Sequence, residues 1–133
     1  MNAYKLSESL TVSGQITPAA VAEIAAAGYK VLINNRPDGE ESGQPSSAEI
    51  AAAAQEAGME YFYLPVNGMN FPGDHLQEMA DLFDDEQRPA FAFCRTGTRC
   101  STLWVLSREA DEREAAADVA RKIGFDLSMA ARA

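Results

Sequence analysis

Positive charge is scarce in this chain. Eleven lysines and arginines face 20 aspartates and glutamates over 133 residues, a formal charge of −9. A field of that sign repels nucleic acid and anionic membrane, so neither is an expected partner. Histidine occurs once, at position 75. A single imidazole without a close ligand cluster argues against a metal site, and no cofactor is expected. The two cysteines, Cys94 and Cys100, lie on either side of one short loop, a poor staple for a domain. No apolar run reaches the roughly 18 residues a membrane span needs, and no charged stretch followed by an apolar run opens the chain. A reducing, cytoplasmic compartment is therefore the expectation. Neither an internal repeat nor a low-complexity linker is seen.

What is present suits a globular protein: 47% hydrophobic and 23% charged residues. The length fits one domain over residues 1–133, enough to bury roughly two-thirds of the unfolded surface. A C-terminal tail over about 125–133 is read as flexible.

The chain reads as strands alternating with helices. A lead-in carries one strand around Leu10 to Ser13. Thr17-Pro18 then opens a helix through Ala27, with Val21, Ile24 and Ala25 on its apolar face. Tyr29 to Ile33 is a buried strand running into Asn34-Asn35-Arg36-Pro37-Asp38-Gly39, and the polar stretch through Ser46 is expected to be a flexible surface loop. Ser46 and Glu49 have capping-box spacing before an Ala-rich helix that ends at Gly58. Glu60 to Val66 is the next strand; Asp74 and Gln77, again at capping-box spacing, open a helix to about Asp85. Pro89 to Phe93 is the last strand. After it comes a helix with the apolar run Leu103-Trp104-Val105-Leu106, then one opened by Asp111 to Glu114 with Ala115, Ala116, Val119, Ala120 and Ile123 on its apolar side. Strands separated by helices of this length pair in parallel through crossovers, which gives a three-layer α/β domain with a central, mainly parallel sheet. The loops 35–38, 67–74 and 94–100 then fall at the carboxyl ends of strands and face one crevice.

The loop Cys94-Arg95-Thr96-Gly97-Thr98-Arg99-Cys100 is where chemistry is expected. A cysteine between a strand end and a helix start sits where backbone N–H groups converge, a seat for an anion. Those donors and the two arginines are expected to lower a thiol pKa of about 8.5 and leave a thiolate exposed at the floor of an electropositive bowl.

Phe93 to Arg99 resembles the active-site loop of the cysteine-dependent protein tyrosine phosphatase superfamily. With Asn34 to Gly39, it resembles more closely the small bacterial phosphatase-like domain found alone or fused to metallo-β-lactamase-type hydrolases. That resemblance spans about residues 3–110 and implies a protein tyrosine phosphatase-like fold. It also implies either phosphoester hydrolysis or rhodanese-like sulfur transfer, and a hydrolase of the metallo-β-lactamase type as partner. The spacing departs from the phosphatase pattern: four residues, not five, separate Cys94 from Arg99, and Cys100 stands where that pattern has arginine. A rhodanese-type Cys-x-x-Gly-x-Arg loop matches without a gap.

For phosphatase action on a small phosphoester or phosphotyrosine-like group, Cys94 would form a phosphocysteine. Arg99 or Arg95 would clamp oxygens while Asp74, or more weakly Asp38, protonates the leaving group. For sulfur transfer from a sulfane-sulfur substrate, Cys94 would carry a persulfide and need no acid. A non-catalytic anion-binding module is the third reading. Asp74 is read first as a helix cap, and Cys100 as a small buried residue, as the stand-in for a hydroxyl that contacts the nucleophile, or as a resolving thiol for oxidised Cys94. Thr96 and Thr98 would support the loop backbone, and Gly97 would supply a backbone angle or close approach. Arg36 is expected either to reach an anionic substrate or to pair with Asp38. His75 is assigned a surface or helix-start place, and Met69, Asn70 and Phe71 either rim the crevice or pack on their own domain.

Overall fold

The computed structural model describes residues 2–132, so Ala133, the end of the expected tail, lies outside the described residues. Its sheet has five strands: β1 (Ala3–Ser7), β2 (Leu10–Ser13), β3 (Val31–Asn34), β4 (Glu60–Tyr63) and β5 (Ala90–Phe93), in the order β1-β2-β5-β3-β4. Only the β1–β2 pair is antiparallel. The three inner strands, β2, β5 and β3, are buried at every position, as expected of parallel strands covered on both faces.

Helices cover both faces. On one side α1 (Ala20–Ala26) and α2 (Ser47–Glu56) enclose a core of Ile16, Val21, Ile24, Leu32, Ile50, Ala54, Phe91 and Phe93. On the other, α3 (Leu76–Phe83), α4 (Thr98–Leu106) and α5 (Arg113–Ile123) pack over Leu10, Val12, Val31, Ile33, Ala90 and Ala92. This is the expected three-layer α/β arrangement. Beyond α5, Phe125, Leu127 and Met129 pack against the second core, and Ser128–Arg132 form a 3₁₀ turn.

Local chemistry explains most boundaries. The capping box of α2 forms as the spacing requires: the Ser46 hydroxyl accepts from the Glu49 amide and the Glu49 carboxylate accepts from the Ser46 amide. Thr17 accepts from the Ala20 amide and so opens the turn leading into α1.

Three expectations need correction. The lead-in holds two strands rather than one: β1 joins β2 through Glu8-Ser9, a two-residue turn with neither glycine nor asparagine to mark it. The proposed capping box of α3 does not form. The helix starts at Leu76, His75 occupies the cap position with no side-chain hydrogen bond, and Gln77 donates to Asp81 instead of to the turn. In α5 the buried face is Ala116, Ala117 and Ala120, while Val119 and Ile123 are over a third exposed. Ala116 and Ala120 lie on the expected face; Ala117 joins them, and these small residues let α5 approach closely with Val119 and Ile123 at its edge.

Candidate active site

The loop between β5 and α4 is built around the Cys94 sulfur. The Cys94 amide donates to Ser13 O, which holds the end of β5 against β2. Gly97 precedes α4 with φ of 92°, a left-handed conformation that glycine adopts without strain. That turn points the Gly97 N–H at the sulfur, 3.1 Å away, and the backbone at Thr96 and Cys100 adds to the lowering of its pKa. The loop is seated from below and from the side. A Cβ on Gly14 would stand 2.9 Å from the Arg95 carbonyl oxygen, and one on Gly97 would meet the Phe125 ring at 3.1 Å. Gln15 donates its amide to that same Arg95 carbonyl.

These donors make Cys94 a thiolate. Its pKa is lowered to about 5, first by a hydrogen bond from the Cys100 thiol, against the opposing effect of burial, then by the loop amides and the Arg99 charge. Cys100 moves the other way. Burial, and then the neighbouring Cys94, push it well above the ordinary thiol value, so it stays protonated and serves as donor. The two cysteines are thus one unit with a single negative charge. Neither is in a disulfide.

The expected open bowl is not what the structure holds. Cys94 has no exposed surface, because α4, the Gly97 turn and the surrounding core close over it. The amides nevertheless face the sulfur. Above the loop lies a cleft of about 390 Å³ lined by Arg36, Glu40, Glu41, Arg95 and Arg99.

Two of the three arginines in that cleft are already engaged. Arg99 donates from Nη1 and Nη2 to the two Glu40 oxygens, each at 2.8 Å, and from Nη1 to Val66 O at 2.8 Å. Arg36, only 2% exposed, donates to Glu40 at 2.9 Å, to Gln15 Oε1 at 3.0 Å and to Glu41 at 3.0 Å. Arg99, despite opposition from burial and with help from Arg36, holds the Glu40 carboxyl below the usual carboxylate range. Arg95 is exposed, and its guanidinium has no hydrogen-bond or ion-pair partner among the described residues.

Cys94, Arg95, Arg99, Cys100 and Arg36 are therefore brought together. Thr96 and Thr98 bond each other through their hydroxyls at 3.0 Å on the outer side of the loop, and the Thr98 amide donates to Thr96 at 3.5 Å. Asp74 does not line the cleft. It borders a separate hollow of about 150 Å³ with Val66, Asn70, His75 and Met79. Asp38 is not the partner of Arg36; its carboxylate accepts from the Ser47 amide at 2.7 Å, at the start of α2. Asn67 shapes its own turn by accepting from Met69 and Asn70, while Phe71 is buried and Met69 exposed. His75 lies exposed beside Glu78. Among the described residues no group of three or more His, Cys, Asp or Glu is placed to hold a metal.

The residues missed in the sequence are Glu40, Glu41 and Gln15. The polar stretch through Ser46 looked like a loose loop by composition, yet two of its carboxylates neutralise Arg36 and Arg99. The legible signal was charge balance: two arginines bound for a buried site need carboxylates nearby.

The family described as beta-lactamase hydrolase-like protein, phosphatase-like domain, matches residues 3–111. A beta-lactamase hydrolase-like protein of Agrobacterium fabrum is 38% identical over 135 residues, covering 99% of this chain and 31% of that protein. One from Xylella fastidiosa is 32% identical over 133 residues, again with 31% of its length covered. The chain thus spans about a third of the length of these curated relatives. Among solved structures, a putative phosphatase from Neisseria meningitidis superposes with a TM-score of 0.71 at 36% identity, covering 93% of this chain and 89% of the other.

Proposed function

Because the chain belongs to the family of beta-lactamase hydrolase-like phosphatase-like domains, we propose that it hydrolyses phosphomonoesters through Cys94. The observation that carries this reading is the thiolate: a sulfur with a pKa of about 5, held by the Gly97 amide at 3.1 Å, beneath an arginine-lined cleft. In the proposed reaction the Cys94 sulfur attacks phosphorus, the ester oxygen leaves with its electron pair, and the amides of the loop stabilise the oxygens of the transferring group. Water then attacks the phosphocysteine, which releases phosphate and restores the thiolate. Arg95 is the free cation at the mouth and takes the role of first contact with the anion, while Arg99 clamps it. Cys100 keeps the nucleophile ionised by donating its S–H.

The leaving oxygen needs a proton unless it is already a weak base. Glu40 and Glu41 are tied to arginines, and Asp74 borders the neighbouring hollow. This reading therefore leaves Asp74 out of the chemistry and favours aryl esters, phosphotyrosine-like groups above all, over alkyl ones.

One feature favours a second reading. Four residues separate Cys94 from Arg99, with Gly97 between them, the spacing of a rhodanese-type loop. A Cys94 persulfide passed to an acceptor thiolate would need no acid.

Assaying the purified protein with p-nitrophenyl phosphate and, separately, with thiosulfate plus cyanide distinguishes the two. Phosphate release abolished by Cys94→Ser supports hydrolysis. Thiocyanate formation without phosphate release would replace it with sulfur transfer, and neither activity would leave an anion-binding module. A hydrolase portion acting alongside this domain, as the longer relatives suggest by name, is proposed as its partner.

A further inference from the structure

The Glu40 carboxylate occupies the place a substrate anion would need. Both terminal nitrogens of Arg99 are bonded to it in a two-oxygen fork, and Arg36 adds a third bond to the same group. A carboxylate held this way presents to arginine the same pair of oxygens as a phosphoryl group. While it stays there, an incoming oxyanion has only Arg95 to meet it. Three guanidiniums confront two carboxylates and the thiolate, so the closed cleft offers a dianion no net positive charge.

The segment that carries Glu40 is built to move between fixed ends. At its start the Asp38 amide donates to the Tyr63 hydroxyl and the Asp38 carboxylate accepts from Ser47. Past its tip, Gln44 donates to Pro37 O and closes the loop at its base. Between these ties Gly39 and Gly43 both have positive φ, 76° and 83°, and no other atom lies within 4 Å of where their Cβ atoms would be. Glu40, Glu41 and Ser42 thus hang between two glycines in open space. Their attachment to the domain runs through the carboxylate–arginine bonds, since Gln44 N donates only within the loop, to Glu41 O.

We propose that Glu40 is a built-in plug: it holds the oxyanion seat on Arg99 and Arg36, and the substrate must displace it by swinging the 39–43 tip outward. This rests on the reading of the cleft as an oxyanion site. It narrows the substrate class to terminal groups with at least two free anionic oxygens, because a ligand with one such oxygen replaces only half of the Arg99 fork. A phosphomonoester qualifies with charge to spare; a phosphodiester also has two non-bridging oxygens but brings only the single negative charge that the Glu40 carboxylate already supplies.

The test is calorimetric titration of inorganic phosphate into the wild-type chain, Glu40→Gln, and Glu23→Gln as a control that removes one exposed carboxylate elsewhere. Removing the competitor raises the competent fraction, so Glu40→Gln is expected to bind phosphate about tenfold more tightly, and Glu23→Gln within about twofold of wild type. Equal or weaker binding by Glu40→Gln overturns the plug and makes Glu40 a positioning residue for Arg99. Hydrogen exchange on the wild-type chain covers the case in which the variant misfolds. Amides over 39–43 are expected to exchange faster at saturating phosphate, and slower or unchanged exchange overturns the proposal. No phosphate binding by any of the proteins removes the plug together with the oxyanion-site reading. Tighter binding by Glu40→Gln without ester turnover upholds the plug and removes only the hydrolytic reading.

Discussion

Replacing Cys100 by alanine deletes the principal donor to the Cys94 thiolate while leaving the loop amides and Arg99 in place. A hydrogen bond to a charged group contributes about 1.5–3 kcal/mol, which corresponds to roughly one to two pKa units. From a value of about 5, Cys94 should therefore rise to roughly 6–7 in the variant. At pH 6 the wild-type sulfur is about 90% ionised and the variant's about 10–50%, so alkylation by iodoacetamide should slow roughly two- to tenfold. At pH 9 both sulfurs are fully ionised and the rates should converge, with the variant slightly faster because the more basic thiolate is the better nucleophile. Cys100 is fully buried, so the substitution also costs stability, about 1 kcal/mol for the small cavity. A thermal melt separates that loss from the titration. Because Cys94 is covered, opening of the loop limits absolute rates, and the pH midpoint is the quantity to compare. Cys100→Ser, whose hydroxyl still donates, should keep the midpoint near the wild-type value. A midpoint near 5 in Cys100→Ala would refute the claim that the second thiol sets the charge of the first.

Gly97→Ala forces a side chain into a left-handed backbone and against the Phe125 ring, and should cost about 1–3 kcal/mol in denaturant unfolding together with most of the Cys94 reactivity. Stability should depend on pH through Cys94. Its folded pKa lies below the unfolded thiol value, so the contribution is complete above about pH 8.5 and is lost as the pH falls toward 5. The loss between pH 7 and pH 5 should be about 2 kcal/mol, and that slope should be missing in Cys94→Ser. Asp74→Asn should change p-nitrophenyl phosphate turnover by less than about twofold. A loss near a hundredfold would return Asp74 to the role of general acid.

The layers of the fold were readable because the inner strands carry short, nearly unbroken apolar runs such as Phe91-Ala92-Phe93, each followed by a helix with a marked start or end. β1 escaped notice because an edge strand buries little: Ala3, Tyr4 and Lys5 are exposed, and only Leu6 is buried. Helical spacing placed Ala116 and Ala120 of α5 correctly, but Ala117 is buried with them while Val119 and Ile123 lie at the edge, because alanines allow the closer contact. At the site, the cysteine, the glycine turn and the arginines follow from contiguous residues and were legible together. The pairing of Arg99 with Glu40 spans 59 positions and depends on β3 lying beside β5, which no local pattern encodes. Burial of the sulfur was likewise invisible, since it depends on how Gly97, Phe125 and α4 close over the strand end. Asp74 illustrates the limit of spacing: the right residues for a capping box are present, but the cap falls one position later, at His75.

Hydrolysis through Cys94 requires that its sulfur be covalently phosphorylated during turnover. Acid-quenched intact-mass analysis within the first turnover of p-nitrophenyl phosphate tests it most directly. An increment of about 80 daltons is expected, mapping to the peptide that contains Cys94 and missing in Cys94→Ser. Phosphate release that continues in Cys94→Ser, with no increment in either protein, would contradict it.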